Sequence, residues 1–395
     1  MRWFGSILLV LAVQLRPSDS TCSIVDFGGI GDGQHDNGPA LTAAVNACLQ
    51  RGDGHVLVPA GNFSIQPVAF DKNITNLRLS IEGLLFNGAT PETLPSHAKA
   101  IITFHESRNV TIDAGISVRS ASTGVVDGNG AAWWTIRRKT PSFFAPVLFL
   151  FHNTVGTLVR DLWVRNSPMF HLVHENAANG VMDGVLITAP ADSPNTDGID
   201  LSGSGFIVRN SRIDNGDDGV AIKPSCANVT ITNNTFLHGH GASIGSIGEN
   251  NGTGHIANVL VENNTFIDMQ NVARIKTWQG GHGSVTNITY RHLRVQDSDH
   301  VIFITQYYCP SSQHSDPCKN YTDAVVISNI IFDDVTGTFQ DSSPGQLLCS
   351  DTFPCSNVTL RDVNLQGNSK HYTWDCWQVH GQATNVTPPI TCLDT

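Results

Sequence analysis

The sequence predicts an all-β chain folded as a single parallel β-helix, a solenoid of stacked coils, with a short N-terminal capping helix. Two observations lead to this prediction. A strand-like phrase recurs along the chain, and polar groups of one kind recur at nearly constant intervals. The composition, with only 14% charged residues and 36 glycines, favours many short strands and turns over long solvated helices.

The recurring phrase consists of a β-branched strand, a polar turn position and a further apolar residue. Turn residues Asn210, Asn233 and Asn263 mark intervals of 23 and 30 residues. Such periods indicate a solenoid, and apolar alternation at period two indicates strands. A β-sandwich is the less favoured alternative, because asparagine repeats after the strand while the coil length varies.

Both ends of the predicted solenoid carry candidate covers. Residues 40–48 form a helical pattern, with Asn37 as candidate N-cap and Pro39 in the first turn. Since a solenoid needs its ends covered, we expect this helix to plug the N-terminal end. A disulfide between Cys376 and Cys392 would tie down the other end.

The N-terminal segment resembles a signal peptide. Residues 1–20 begin with Arg2, continue with an apolar run at 7–13 that is too short to span a bilayer, and end near Ser20. We therefore predict that residues 21–395 form the β-helix catalytic domain of a secreted, extracellular protein that is not held in a membrane.

Cysteines and glycosylation motifs agree with export. The nine cysteines fit an oxidising compartment. The plausible local pairs, whose connectivity the sequence leaves open, are Cys22/Cys48, Cys309/Cys318, Cys349/Cys355 and Cys376/Cys392, with Cys226 left over. Asn-x-Ser/Thr acceptors occur at Asn62, Asn73, Asn109, Asn228, Asn233, Asn251, Asn263, Asn287, Asn320, Asn357 and Asn385.

Carboxylates and a histidine recur at the coil interval. Asp197 and Asp218 are 21 residues apart, and His240 follows 22 residues later. Residues one coil apart on the same face lie about 4.7–4.9 Å from each other. Like charges this close cannot all ionise freely, so at least one carboxyl pKa should rise, which makes a natural acid–base pair.

The adjacent carboxylates Asp217 and Asp218 conflict with a regular strand, which would point one of them into the core. Gly216 and Gly219 flank the pair and permit a turn or bulge. We therefore expect the pair where a strand ends, with both carboxylates reaching the same cleft. Each motif alone is typical of a solvated turn, but the set at coil spacing indicates a site.

These motifs resemble those of the polygalacturonases, family 28 glycoside hydrolases. The matching segments are Asn195–Gly198, Gly216–Asp218, Gly239–Gly241 with Ser243–Ser246, and Arg274–Lys276. The resemblance implies a right-handed parallel β-helix. It also implies hydrolysis of α-1,4 bonds between galacturonates in pectin, with inversion of configuration.

The resemblance also implies roles for single residues. Asp217 resembles the general acid, Asp197 and Asp218 resemble the pair that activates water, and His240 resembles the histidine that supports them.

Substrate contacts follow from the same resemblance. Arg274 and Lys276 resemble the cations that hold the substrate carboxylate, and Asn195 and Tyr308 match substrate-contacting positions. The chain departs from many members at Gly219, where they carry a cysteine. No cysteine lies between Cys226 and His240 either, which implies that one disulfide is lost.

The net charge of −11 disfavours nucleic acid as a partner, and an anionic substrate would need a local cationic patch. We expect a monomer that binds pectic polysaccharide and needs no cofactor or metal. Three alternatives stay open: a hydrolase of rhamnogalacturonan or xylogalacturonan, a pectate lyase that uses Ca²⁺, and a non-enzymatic β-helical binding protein.

Overall fold

The computed structural model describes residues 21–52, 54–71, 74–115, 124–310, 320–367 and 372–393. The predicted signal peptide lies outside these ranges. The described residues include helices α1 (Gly38–Arg51) and α2 (Ala131–Arg137), with 3₁₀ turns at Ile24–Phe27 and Glu249–Asn251.

Short strands make up most of the remaining structure. In chain order, β1 to β31 are Cys22–Ser23, Asp32–Asp36, His55–Val58, Asn62–Ile65, Val68–Asp71, Arg78–Ile81, Leu84–Asn87, Ala100–His105, Thr111–Asp113, Val125–Asp127, Val147–His152, Leu158–Arg160, Trp163–Arg165, Leu172–Ala178, Val181–Asp183, Leu186–Thr188, Ile199–Arg209, Arg212–Asp214, Val220–Thr232, Thr235–Leu237, Ala242–Ile247, Thr253–Glu262, Thr265–Ile267, Asn271–Thr277, His282–Ser298, His300–Thr305, Val326–Phe339, Gly345–Leu348, Cys355–Gly367, Asp375–Trp377 and Val379–Thr387.

The pairing of these strands confirms the parallel β-helix. Named strands pair in parallel with the strand one coil further along, as β17 does with β19 and β19 does with β21. One row of strands positions most of the predicted site residues. This row, called the site ladder, is β14, β17, β19, β21, β24, β26, β28 and β30.

The core consists of columns of like residues on successive coils. In the site ladder, Ile222 pairs with Ile244, Ile244 with Ile275, and Ile275 with Ile304. These four side chains are fully buried or nearly so. Full burial of each stabilises the fold by about 1.5–3 kcal/mol relative to an exposed side chain, so every coil depends on its neighbours for a core.

Asparagine turns the chain between strands, as the repeat predicts. Asn210, Asn233 and Asn263 adopt φ angles of 53°, 57° and 55°. Asparagine tolerates this left-handed conformation better than most residues. The following residues stack inside the turns, where Asn234 Nδ2 donates to Asn264 Oδ1 at 3.0 Å.

Helix α1 covers the N-terminal end, which confirms the capping helix. It packs on β1, β3 and β5, and it buries Leu41, Val45 and Cys48. The prediction for Asn37 is half right, because the residue occupies the N-cap position but its side chain caps nothing. Its Oδ1 accepts instead from the backbone N–H of Ile30 at 2.7 Å, which ties the preceding turn to the helix start.

Three of the predicted disulfides are present: Cys22–Cys48, Cys349–Cys355 and Cys376–Cys392. Cys309 is also disulfide-bonded, while Cys318, its predicted partner, lies outside the described residues. Cys226 is a buried free thiol, and burial raises its pKa to about 12.

Ten of the predicted glycosylation acceptors are described and all of them are exposed, whereas Asn73 lies outside the described residues. Neither described helix is long and apolar enough to cross a bilayer.

Candidate active site

Three predicted site residues occupy equivalent positions on successive coils. Asp197, Asp218 and His240 each lie two residues before the start of β17, β19 and β21. The first residues of these strands pair with one another. The coil spacing read from the sequence therefore does stack the three side chains at one edge of the site ladder.

The adjacent carboxylates lie in a turn and not within a strand. Asp217 and Asp218 connect the end of β18 to the start of β19. Both line the same cavity, so the predicted conflict with strand alternation does not arise. Our expectation of a strand end was incomplete, because the same turn also positions the pair at the beginning of the next strand.

The Asn215 side chain and the absence of a side chain at Gly219 hold this turn. Buried Asn215 donates from Nδ2 to the carbonyl oxygens of Thr196 and Asp218, at 2.7 and 2.9 Å, and so joins two neighbouring coils. A Cβ on Gly219 would lie 2.6 Å from the Phe236 ring. The ring therefore occupies the space where many family members carry a cysteine, and glycine is required here.

Asp218 is the most heavily bonded of the three carboxylates. Its Oδ2 accepts from Lys276 Nζ at 2.7 Å, and its Oδ1 accepts from Ser243 Oγ at 2.7 Å and from Arg274 at 3.4 Å. Burial favours the neutral acid, but the two cations outweigh burial and hold the pKa of Asp218 well below its usual range. Asp218 is therefore an ionised anchor.

Asp217 is the most accessible carboxylate of the cluster. Its side chain is 21% exposed, and its Oδ1 lies 3.0 Å from His240 Nδ1. Asn195 Nδ2 donates to Oδ2 at 3.4 Å, while the other ring nitrogen of His240 lies 2.9 Å from Gln270 Oε1. Burial raises the pKa of Asp217, but the hydrogen bond with His240 and the electrostatic attraction of His240 and Lys276 together outweigh burial and leave that pKa lowered.

Asp197 has the opposite electrostatic environment. Burial raises the pKa of Asp197 well above its usual range, and the negative charges of Asp217 and Asp200 add to this. Lys223 opposes the rise, with Nζ 3.5 Å from Asp197 Oδ2 and 3.2 Å from Asp200 Oδ2. The three carboxyls of the site thus have clearly different proton affinities.

The cations lie under an aromatic wall. The guanidinium carbon of Arg274 is 5.7 Å from the Tyr308 ring centre, and Lys276 Nζ is 5.4 Å from it. Trp278 packs edge-on against Tyr308 at 5.2 Å between ring centres. Arg274 Nε is buried and has no hydrogen-bond partner among the described residues.

Helix α2 contributes a cation that sequence analysis missed. Arg137, its last residue, donates from one terminal nitrogen to the carbonyl of Phe143 at 2.6 Å and from the other to Asn195 Oδ1 at 2.5 Å. Burial lowers the pKa of Arg137. The contact fixes the Asn195 amide so that Nδ2 points to Asp217.

One cavity of about 310 Å³ brings together every predicted site residue: Asn195, Asp197, Asp217, Asp218, His240, Arg274, Lys276 and Tyr308. Sequence analysis missed Phe170 and Lys223, which also line it, and Asp200, which contacts Lys223. Asp200 and Lys223 were detectable in principle, because each follows a motif acid by a few residues. The sequence alone gave no contact between them.

A metal ion is a poor fit to this site. Asp217, Asp218 and His240 each offer a ligand atom, and these atoms lie within 4.8 Å of one another. However, Lys276 and Arg274 already neutralise Asp218 and would repel a cation placed there. The donor set suits proton transfer better than metal binding.

Comparison with known proteins agrees with the geometry. The family model for glycosyl hydrolases family 28 matches residues 48–387. A polygalacturonase of Persea americana is 34% identical over 368 residues, which cover 91% of this chain and 77% of the relative. Polygalacturonase-2 of Solanum lycopersicum is 32% identical over 384 residues, covering 94% and 81%.

Among solved structures, a polygalacturonase from Erwinia carotovora superposes with a TM-score of 0.75 at 23% identity, covering 92% of this chain and 96% of that one. At this identity the likeness shows the fold alone. The family model covers most of the chain, including every residue that lines the cavity, and the chain therefore belongs to glycosyl hydrolases family 28.

Proposed function

We propose that this protein is a polygalacturonase that hydrolyses α-1,4 bonds between galacturonates in pectin, with inversion at the anomeric carbon. The observation that carries the proposal is one cavity in which three carboxylates meet Arg274 and Lys276. Inverting hydrolysis needs one carboxyl to protonate the leaving oxygen and another to activate water. The cations add what a uronate substrate requires, a counter-charge inside a protein of net charge −11.

Exposure supports the assignment of roles. Asp217, 21% exposed, is the general acid, because it can reach the glycosidic oxygen. Asp197 and Asp218, 4% and 1% exposed, lie deeper and hold the attacking water. His240 orients Asp217 through its hydrogen bond.

Substrate binding falls to the aromatic and cationic wall. Arg274 supplies a planar guanidinium and Lys276 a point charge for one carboxylate of the sugar chain. Tyr308 covers both cations and provides a surface for the sugar ring. Asn195, fixed by Arg137, contacts a substrate hydroxyl next to the acid.

The reaction needs a protonated Asp217 and an ionised Asp197, but the free site favours the reverse. The pKa of Asp197, the base, is raised, whereas that of Asp217, the acid, is lowered. The reactive form is therefore a minority of the free enzyme, and the pair titrates as a coupled unit. Bound uronate raises the pKa of Asp217, because it adds negative charge and excludes water.

Product analysis on polygalacturonate tests the proposal. Purified protein should release reducing ends from polygalacturonate with no unsaturated uronate chromophore. Accumulation of that chromophore would identify a lyase instead. Activity on rhamnogalacturonan or xylogalacturonan, with none on polygalacturonate, would show a different substrate within the family. A protein with no activity on polygalacturonate, rhamnogalacturonan or xylogalacturonan would contradict an enzymatic role.

We also propose that residues 1–20 are removed on secretion and that residues 21–395 act as an extracellular, glycosylated monomer. The hydrophobic run at 7–13 and the described disulfides support this. N-terminal sequencing of protein secreted from a eukaryotic host tests it, together with light scattering. A mature chain that still begins at Met1, or a stable dimer, would contradict it.

A further inference from the structure

Two charged residues of the site, Asp200 and Lys223, have no role so far in the proposed reaction. Asp200 is 3% exposed, and the Lys223 side chain, which is 30% exposed, lies between Asp200 and Asp197. Lys223 Nζ is 3.2 Å from Asp200 Oδ2 and 3.5 Å from Asp197 Oδ2. The ammonium also packs over the Phe170 ring at 5.1 Å. Such enclosure is costly for three charges unless they compensate one another.

The carboxyl oxygens that Lys223 does not contact indicate how the three charges compensate one another. Oδ1 of Asp197 and Oδ1 of Asp200 are both buried, and neither has a hydrogen-bond donor among the described residues. Lys223 Nζ lies within 3.5 Å of one oxygen of each carboxyl, so both acids depend on the same ammonium. One ammonium balances only one of two negative charges, and a proton on either carboxyl would neutralise the second charge, whose burial is otherwise costly.

We propose that Asp197, Asp200 and Lys223 form one unit, in which the two carboxyls share a single proton and the ammonium balances the remaining charge. Asp200 and Lys223 are then positioning residues that set when Asp197 can accept a proton from water. This inference rests on the proposed hydrolase function.

The charges around Asp197 determine whether a substitution raises or lowers its pKa. Negative charge raises the proton affinity of Asp197 and positive charge lowers it. The titratable and charged groups nearest to it are Asp217 and Asp218 in the β18–β19 turn, Arg137 at the end of α2, His171 before β14, and Tyr308. His240, Arg274 and Lys276 lie behind these and contact Asp218.

Two substitutions should therefore act in opposite directions. Lys223→Gln removes the positive charge and should raise the pKa of Asp197 by about 1–3 units, while Asp200→Asn removes a negative charge and should lower it. A bell-shaped kcat/KM profile is centred on the mean of its two apparent pKa values. Its optimum should therefore move to higher pH in Lys223→Gln and to lower pH in Asp200→Asn, whichever limb Asp197 controls.

The conservative variant Lys223→Arg keeps the charge and should keep the optimum near that of the wild type. If both residues were only structural, the variants would lose kcat with no opposite movement of the optimum, and the inference would fail. Far-ultraviolet circular dichroism checks folding, and Asp200→Asn and Lys223→Arg still test the inference if Lys223→Gln does not fold.

A second measurement separates this inference from the proposed function. The ¹³C carboxyl signal of Asp197, assigned by its loss in Asp197→Asn, can be titrated without substrate. Opposite shifts of its midpoint in Lys223→Gln and Asp200→Asn would support the unit even if polygalacturonate proved to be the wrong substrate. Unchanged midpoints in an active enzyme would refute the unit and leave the hydrolase function standing.

Discussion

The site ladder stacks like residues on adjacent coils both in its core and at its cavity edge, but the stacking stabilises apolar residues and destabilises charged ones. On the inner face, Ile244 and Ile275 stack on adjacent coils and are fully buried. At the outer edge of the same ladder, Asp197 and Asp218 stack with the same spacing. Apolar neighbours one coil apart exclude water from each other, whereas carboxylates one coil apart repel each other.

The asparagine stack inside the turns shows why the difference is chemical and not geometric. Asn234 and Asn264 lie one coil apart and form a hydrogen bond, because an amide both donates and accepts. A carboxylate only accepts, so each acid in the site needs a cation or a proton as its partner. A solenoid therefore stabilises columns of like residues everywhere except where like residues carry charge, and there it perturbs proton affinities.

The largest effect should come from the exposed acid. Asp217→Asn keeps the shape of the side chain but cannot donate a proton to the leaving oxygen. We expect kcat on polygalacturonate to fall about 10²–10⁴-fold, the usual contribution of general acid catalysis. Initial rates of reducing-end release measure this. Asp214→Asn, on the strand before the turn, is a matched control, and full activity in Asp217→Asn would refute the assignment.

The apolar core beside the site ladder, where β20 pairs with β23, should be nearly as sensitive, but the effect is on stability and not on activity. Phe266 is fully buried and stacks on Phe236 with 4.9 Å between ring centres. Phe266→Ala should cost about 3–5 kcal/mol of unfolding free energy, because it leaves a cavity between two coils. Denaturant unfolding measures the loss, and Phe266→Leu should lose less. Equal losses in both variants would mean that the cavity does not determine the cost.

Breaking the ion pair of the outer face should change how stability depends on pH. Asp218 has a lowered pKa, so it contributes stability that is complete above the unfolded value near 4 and is lost as pH falls through the folded value. Lys276→Met should flatten this acid-side loss and cost about 3–5 kcal/mol at neutral pH.

Unfolding curves between about pH 2 and pH 7 measure that change. Arg361→Met is the control, since the Arg361 side chain, which pairs with Asp333, is 55% exposed and the pair is expected to contribute at most about 1 kcal/mol. An unchanged pH slope in Lys276→Met would contradict the role of Lys276 as the main counter-charge of Asp218.

The amide stack should be less critical than the core. Asn234→Ala removes the Nδ2 donor to Asn264 Oδ1 and to the Val208 carbonyl, and it leaves the buried Ser211 N–H without its acceptor. We expect a loss of about 1–3 kcal/mol in unfolding free energy. Asn258→Ala is the comparison variant. Asn258 is exposed and donates to Asn228 Oδ1, and its loss should lower the unfolding free energy less, because water replaces that hydrogen bond.

The smallest expected effect on stability is an increase, from the removal of the Asp197 charge. The raised pKa of Asp197 means that ionising it in the folded protein costs free energy, and this cost is fully present at pH values above its folded pKa. Asp197→Asn removes the charge, so we expect a higher Tm than wild type at neutral pH together with a loss of activity. The difference in Tm should shrink as pH falls, and a lower Tm at all pH values would contradict this.

Sequence analysis predicted that Asp197, Asp218 and His240 lie on successive coils because a solenoid converts sequence interval into spatial contact. The 21- and 22-residue steps from Asp197 to His240 were enough to expect the stack that the pairing of β17, β19 and β21 confirms. Contacts that do not follow the period were missed. Arg137 reaches Asn195 across 58 residues from a helix outside the repeat, so no interval could reveal it.

The sequence alone determined the class of fold, the row of acids and the position of the cations, because each depends on a period or on a local motif. Only the tertiary structure decided the proton affinities. Burial, the Lys276 contact and the His240 hydrogen bond separate three chemically identical carboxyls into Asp218, held ionised, and Asp197 and Asp217, shifted in opposite directions. Those shifts depend on distances of a few ångströms, and a one-dimensional pattern does not contain them.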